Sequence, residues 1–216
     1  QLNYAEHALR HAAANTDAGR PAIVSRSELR PALAALGWRD LQRDVASIAA
    51  SLRAMGVRRG DRVVSCMPNI PETIAAFLAT ASVGAVWSSC SPDMGSGAVI
   101  DRFRQIEPKV LFAVDGYRYG GKDFDRRVVL AEIVAQPALE RVVLLPQLDA
   151  NAPPDSLRGG VSYASLLDRR DAPLAFEPVP FDHPLWIVYS SGTTGLPKAI
   201  VHGHGGIVLE SLKMGT

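Results

Sequence analysis

Cysteine is scarce in this sequence: Cys66 and Cys90 are the only two, and no CxxC pair occurs. That excludes a disulfide framework and the paired-thiolate spacing of structural zinc sites. Both thiols sit in or beside apolar runs and are expected to be small, buried core residues in a reducing compartment. An excess of either charge is missing as well. The 23 Lys and Arg against 22 Asp and Glu leave a formal net charge of +1, so neither a basic nucleic-acid surface nor an acidic disordered tail is indicated. No apolar run approaches the roughly 18 residues of a membrane-crossing helix, and no signal peptide is found. These absences point to a cytoplasmic protein with no membrane and no nucleic-acid partner. Aromatic residues make up only 6%, so the core is expected to be mainly aliphatic, with Trp38, Trp87 and Trp186 inside it.

What is present is enough for a core. Hydrophobic residues reach 47% and charged residues 21% of 216 positions, a balance that builds one large domain or two small ones. The sequence opens on Gln1 rather than Met and closes on Thr216; the expectation is a segment of something longer.

Leu41, Val45, Ile48, Leu52 and Met55 recur at spacings of four and three, one face of a helix that starts near Asp40 and stops at Gly56. Val63 to Met67 does not alternate, as expected of a strand buried on both faces. The pattern then repeats. Asn69 and Glu72 resemble a capping box ahead of a helix with Ile74, Phe77, Leu78 and Ala81 on its buried face, closed by Gly84. Ala85 to Ser89 predicts a strand. Val99, Ile100, Phe103 and Ile106 predict a third helix, stopped by Pro108. Val110 to Val114 and Arg141 to Leu145 predict further strands, with a helix around Arg126 to Ala135 between them. Pro146 to Gly160 reads as a surface loop. The β-α-β-α-β order predicts an α/β fold with a mostly parallel sheet and helices on both faces. Ligands then bind beyond the carboxyl ends of the strands.

One segment carries chemistry. Leu185 to Tyr189 reads as a strand that runs into Ser190, Ser191, Gly192, Thr193, Thr194 and Gly195, six small residues with four hydroxyls. The glycines allow positive φ and close approach of N–H groups to an anion. Pro197 stiffens the exit and Lys198 adds a cation. An ordinary polar turn is the bland alternative; strand, hydroxyl-glycine run, Pro and Lys together favour a polyphosphate cradle. It is not the P-loop pattern, because Leu196 and Pro197 separate Gly195 from Lys198 and no hydroxyl follows the Lys. His202 and His204 could share a strand face, but no Cys or third His is near, so they are expected to line the turn after the loop and no metal residue is assigned.

At these residues the sequence resembles the adenylate-forming superfamily of acyl-CoA synthetases, luciferases and peptide-synthetase adenylation domains. The stretches Gly56 to Val63, Pro68 to Glu72 and Gly84 to Trp87 extend the resemblance to that superfamily's amino-terminal half. Leu2 to Glu6, Cys90 to Gly95 and Lys198 to Gly206 are similar to the acetoacetate–CoA ligase family, with acetate–CoA ligases as near relatives. The resemblance implies that residues 1–216 are a piece of the amino-terminal AMP-binding domain, with the carboxyl-terminal domain absent. It implies acetoacetate, ATP and coenzyme A as small-molecule substrates and Mg2+ as ATP's companion. Ser190, Ser191, Gly192, Thr193, Thr194, Gly195 and Lys198 would hold the phosphates, with Lys198 catalytic. Arg118, ahead of Tyr119, Gly120, Gly121 and Lys122, matches the place where related ligases keep arginines near the coenzyme A phosphates; a solvated surface pair is the alternative. The segment alone is expected to be inactive and prone to self-association. A short-chain acyl-CoA ligase of another specificity, a non-catalytic nucleotide-binding module and a phosphotransferase with another glycine-rich loop remain as alternatives.

Overall fold

The computed structural model describes residues 1–191 and 195–214. Two short helices open the chain, α1 (Tyr4–Leu9) and α2 (Ala12–Asp17), followed by an antiparallel strand pair, β1 (Ile23–Ser25) and β2 (Ala34–Leu36). Asn3 caps α1: its side-chain oxygen accepts from the Ala5 N–H at 2.9 Å, and its amide donates to the carbonyls of Ala81 and Glu177. The predicted stripe forms α3 (Trp38–Ala54), with Leu41, Val45, Ile48 and Leu52 buried.

The α/β alternation then follows. β3 (Arg62–Cys66) leads through α4 (Pro71–Ser82) to β4 (Val86–Cys90), and α5 (Ser96–Phe103) leads on to β5 (Val110–Val114). A hairpin of β6 (Gly116–Tyr119) and β7 (Lys122–Asp125) precedes α6 (Arg127–Val134), β8 (Arg141–Leu145) and β9 (Gly160–Ser162). The chain closes with β10 (Pro184–Ser190), β11 (Lys198–Gly203) and α7 (His204–Met214). Seven strands form one sheet in the order β11-β10-β4-β3-β5-β8-β9, parallel throughout except that β11 runs antiparallel to β10.

β3 and β5 are buried on both faces, which is why neither alternates. On one face, Val63, Val110, Phe112 and Val114 pack with α1, α3 and α4. On the other, Val64, Leu111, Ala113, Val142 and Leu144 pack with α5 and α6. The first face departs from an aliphatic core. Ring centroids run Tyr4–Phe77 at 5.6 Å, Phe77–Trp87 at 5.9 Å, Trp87–Phe112 at 6.2 Å and Phe112–Tyr163 at 6.3 Å, so the few aromatics are concentrated in one row of tilted contacts. Cys66 and Cys90 are buried, unpaired register partners on β3 and β4. Burial pushes both thiols up, Cys90 to about 11, which removes them as nucleophiles. Among the described residues no helix is long and apolar enough to cross a membrane.

Three local expectations are corrected. No capping box forms at Asn69 and Glu72: the N-cap is Ile70, without a side-chain bond, and Pro71 occupies the first turn. Proline suits that position because its missing N–H would have no partner there, and Glu72 pairs instead with Arg30 at 2.6 Å. The third helix ends at Phe103, so Ile106 is buried from the following turn rather than from the helix. The surface stretch from Pro146 contains a 3-10 turn at Pro154–Ser156, and its last residue, Gly160, already begins β9.

Candidate active site

The carboxyl end of β10 carries the hydroxyl-glycine segment. β10 is locked between two neighbours: parallel to β4 through Trp186↔Trp87 and Ile187↔Ser88, and antiparallel to β11 over six register pairs from Pro184↔Gly203 to Ser190↔Lys198. Leu185 and Ile187 point into the core, whereas Val188 and Ser190 are exposed. The Ser88 hydroxyl donates to the Ile187 carbonyl at 2.8 Å, a further tie between β4 and β10.

The Ser190↔Lys198 pairing sets the geometry of the site. It places the lysine at the base of the segment, opposite its first hydroxyl. Lys198 is exposed and makes no ion pair among the described residues. Ser191 and Gly195 are also exposed, and Gly195 has a φ of +121°. Gly192, Thr193 and Thr194 lie outside the described residues. Serine hydroxyls and a solvent-facing ammonium at one mouth suit a multiply charged oxyanion, to which each can donate hydrogen bonds.

The histidines after the loop have structural partners. His202 faces Trp186 across the hairpin, ring to ring at 6.3 Å. His204 opens α7 and is fully buried; its Nδ1 accepts the Tyr4 N–H at 3.0 Å, which puts the ring proton on Nε2. Its ring lies 5.7 Å from that of His183, whose Nε2 is 2.8 Å from the Gly84 carbonyl. A Cβ on Gly205 would sit 2.2 Å from the Phe181 ring, so a larger residue there would have to displace that ring. The His-Gly-Gly stretch thus docks α7 against α1. Desolvation, aided by His183, lowers the His204 pKa to about 4.

Arg118 and Lys122 lie on the β6–β7 hairpin, beyond the carboxyl end of β5; Arg118 pairs with Asp123 and Lys122 with Tyr119, so their side chains leave opposite faces. Gly120 and Gly121, with φ of +59° and +74°, make a two-residue turn of the kind that suits hairpin twist. The turn's two N–H groups donate to the two carboxylate oxygens of Glu28, each at 2.8 Å. Arg118 is held by Asp123, at 2.6 and 2.9 Å. β5 stands three strands from β10, so the hairpin base is about 14 Å across the sheet from the serine-lysine mouth. Both sit at the same edge of the sheet.

Residues with no sequence signal also shape this edge. Buried Asp115 accepts N–H groups from Gln147, Leu148 and Asp149, fixing the chain after β8. Tyr189, Arg102 and Gln105 link α5 to the ends of the hydroxyl-glycine segment. No pattern announces a contact between residues about ninety positions apart.

Comparison with known proteins adds three findings. The profile of the family described as AMP-binding enzyme matches residues 9–215. The acetoacetyl-coenzyme A synthetase of Rhizobium meliloti (strain 1021) is 46% identical, and the acetoacetyl-CoA synthetase of Rattus norvegicus 42%, each over 99% of this chain. The solved acetoacetyl-CoA synthetase from Streptomyces lividans superposes with a TM-score of 0.91 at 53% identity over 99% of this chain. The chain spans 32% of the length of each. The mostly parallel sheet with helices on both faces is therefore the fold of the matching part of that solved synthetase.

Proposed function

The chain belongs to the AMP-binding enzyme family, and from that premise we propose that the full-length protein is an AMP-forming acetoacetate–CoA ligase in which this segment supplies the phosphate-binding loop. One observation carries the proposal: the β10–β11 register sets exposed Lys198 opposite Ser190, at the carboxyl edge of a parallel sheet. The names of the similar synthetases point to acetoacetate as the acid.

In the reaction proposed, a carboxylate oxygen of acetoacetate attacks the α-phosphorus of ATP and the bond to pyrophosphate breaks. The thiolate of coenzyme A then attacks the acyl carbon, and the carboxylate-derived oxygen leaves on AMP. Pyrophosphate gains negative charge as it departs, and Lys198 and the Ser190 and Ser191 hydroxyls are placed to stabilise that charge without reorganising. Gly192, Thr193, Thr194 and Gly195 complete the proposed phosphate set. Magnesium would enter with ATP and neutralise its phosphate oxygens. No group of three or more His, Cys, Asp or Glu side chains among the described residues could hold a metal ion, so none is assigned to it.

Arg118 and Lys122 are proposed as contacts to the coenzyme A phosphates. In support, the turn between them already holds an anion, the Glu28 carboxylate, on paired N–H groups. Arg118 would exchange its Asp123 partner for a phosphate. A cytoplasmic location is part of the same proposal, supported by two free, buried thiols.

Specificity is read from kcat/KM measured in parallel for acetoacetate, acetate and octanoate. Acetoacetate is expected to give the highest value. A higher value for acetate would move the protein to the neighbouring ligases, and no acid-dependent turnover would leave a nucleotide-binding module.

A further inference from the structure

Helix α5 and the turn that follows it touch both ends of the hydroxyl-glycine segment. At the entry, the Tyr189 hydroxyl donates to the Arg102 carbonyl at 2.7 Å, and the Arg102 guanidinium lies 5.7 Å from the centroid of the Tyr189 ring. At the exit, the Gln105 amide donates to the Pro197 carbonyl at 3.0 Å. That same amide donates to the Asp101 carbonyl at 2.9 Å, which fixes its direction against the helix end. Tyr189 immediately precedes Ser190, and Pro197 immediately precedes Lys198. The two tethers therefore bracket the residues that the loop contributes.

The chemistry of a helix terminus explains why these contacts form. A carbonyl oxygen has two lone pairs, so those at the end of α5 can take a side-chain donor even where a following N–H already reaches them, as the Gln105 N–H reaches Arg102 at 3.2 Å. Arg102 and Asp101 offer theirs to a phenol and an amide, both uncharged donors. Burial raises the Tyr189 pKa to about 12, so the phenol keeps its proton and remains a donor at any physiological pH. The helix is itself rigidly seated, with Val99 and Phe103 buried against the sheet. Behind it, Arg126 donates to the Met94 carbonyl at 2.5 Å and secures the chain between β4 and α5. A glycine-rich loop hung only from its two strands would have to be ordered by ATP at the expense of binding energy. With Tyr189 and Pro197 tied down, the adjoining Ser190 and Lys198 have less freedom to lose.

We propose that the carboxyl end of α5 and the turn after it are a strut that pre-sets the two ends of the phosphate loop, Ser190 and Lys198, with Gln105 as a positioning residue acting through the Pro197 carbonyl and Tyr189 acting through the Arg102 carbonyl. The proposal rests on the phosphate-binding reading of the loop. Gln105 is exposed, so its replacement leaves the core intact.

The test is acid-dependent pyrophosphate–ATP exchange by the full-length protein. Gln105→Ala and the isosteric Gln105→Glu, which has no amide to donate, are compared with Gln105→Lys, which keeps a donor of similar reach. One neutral hydrogen bond lost corresponds to a change of about 3- to 10-fold. The expected result is that Ala and Glu raise KM for ATP by that factor, leave KM for the acid unchanged, and that Lys restores part of the loss. Tyr189→Phe is expected to act in the same direction. A merely structural role would lower Tm and shift both KM values together. Wild-type KM for ATP in the Ala and Glu variants, while Lys198→Ala is impaired, would overturn the strut and spare the loop. Wild-type exchange in Lys198→Ala would overturn the loop reading, and the strut with it.

Discussion

Lys198→Ala in the full-length protein is expected to slow acid-dependent pyrophosphate–ATP exchange by about 10- to 100-fold. The estimate starts from a hydrogen bond to a charged group, worth roughly 1.5–3 kcal/mol, at about 1.4 kcal/mol per factor of ten. Lys198 is the first residue of β11 and the register partner of Ser190, so its backbone position is set by the strand pair and not by its side chain. The side chain is exposed and makes no ion pair among the described residues. Truncating it therefore removes a charge from the mouth of the site without opening the core, and Tm is expected to stay unchanged. Lys198→Arg keeps the charge on a longer, planar head and should lose less than alanine. Exchange at the wild-type rate in Lys198→Ala, with the protein folded, would mean that the ammonium does not reach the phosphates during chemistry.

Acid is expected to weaken the fold through His204. The ring is fully buried between α1 and His183, and its Nδ1 must stay unprotonated to accept the Tyr4 N–H. Its pKa is depressed to about 4 in the folded chain, from an ordinary value of 6.5. The unfolded chain thus takes up a proton at a higher pH than the folded one. The stability present above pH 6.5 is lost as the pH falls through the folded pKa. At about 1.4 kcal/mol per pKa unit, the full loss is about 3–4 kcal/mol, a large fraction of the stability of most domains. Denaturant unfolding at pH 7, 5.5 and 4 measures it. His204→Gln keeps an acceptor for the Tyr4 N–H but cannot titrate, and its stability should change less over the same range. Equal pH dependence in the two proteins would show that acid acts elsewhere.

The central sheet was legible because burial on both faces leaves a plain mark. Val63-Val64 and Val110 to Val114 are uninterrupted apolar runs, and the helices between them carry stripes with clear stops. The pieces that escaped are those in which burial does not dictate the sequence. β7 is exposed at every position, β1 and β2 are three residues each, and β9 begins on a glycine. The Gly120-Gly121 turn did offer a hairpin signal, since two adjacent glycines between short alternating runs favour such turns. At α4, Pro71 outweighed the Asn69–Glu72 pattern. The hydroxyl-glycine segment stands out by its residue types and Lys198 by its place after Pro197, and the structure makes Lys198 the register partner of Ser190. The hydrogen bonds from Tyr189 to Arg102 and from Gln105 to Pro197 have no such mark, because they are contacts made by the fold across about ninety residues.

The most direct measurement of the account follows an oxygen atom. Acetoacetate labelled with 18O in its carboxylate is supplied with ATP, magnesium and coenzyme A to the full-length protein, and the nucleotide product is examined by mass spectrometry. Attack of the carboxylate on the α-phosphorus leaves one labelled oxygen on AMP, with unlabelled pyrophosphate released alongside. That is the result the account predicts. ADP as product with label in inorganic phosphate would place the attack on the γ-phosphorus, and unlabelled AMP would mean that water and not the acid meets the nucleotide; either would contradict an acyl-adenylate formed at this loop.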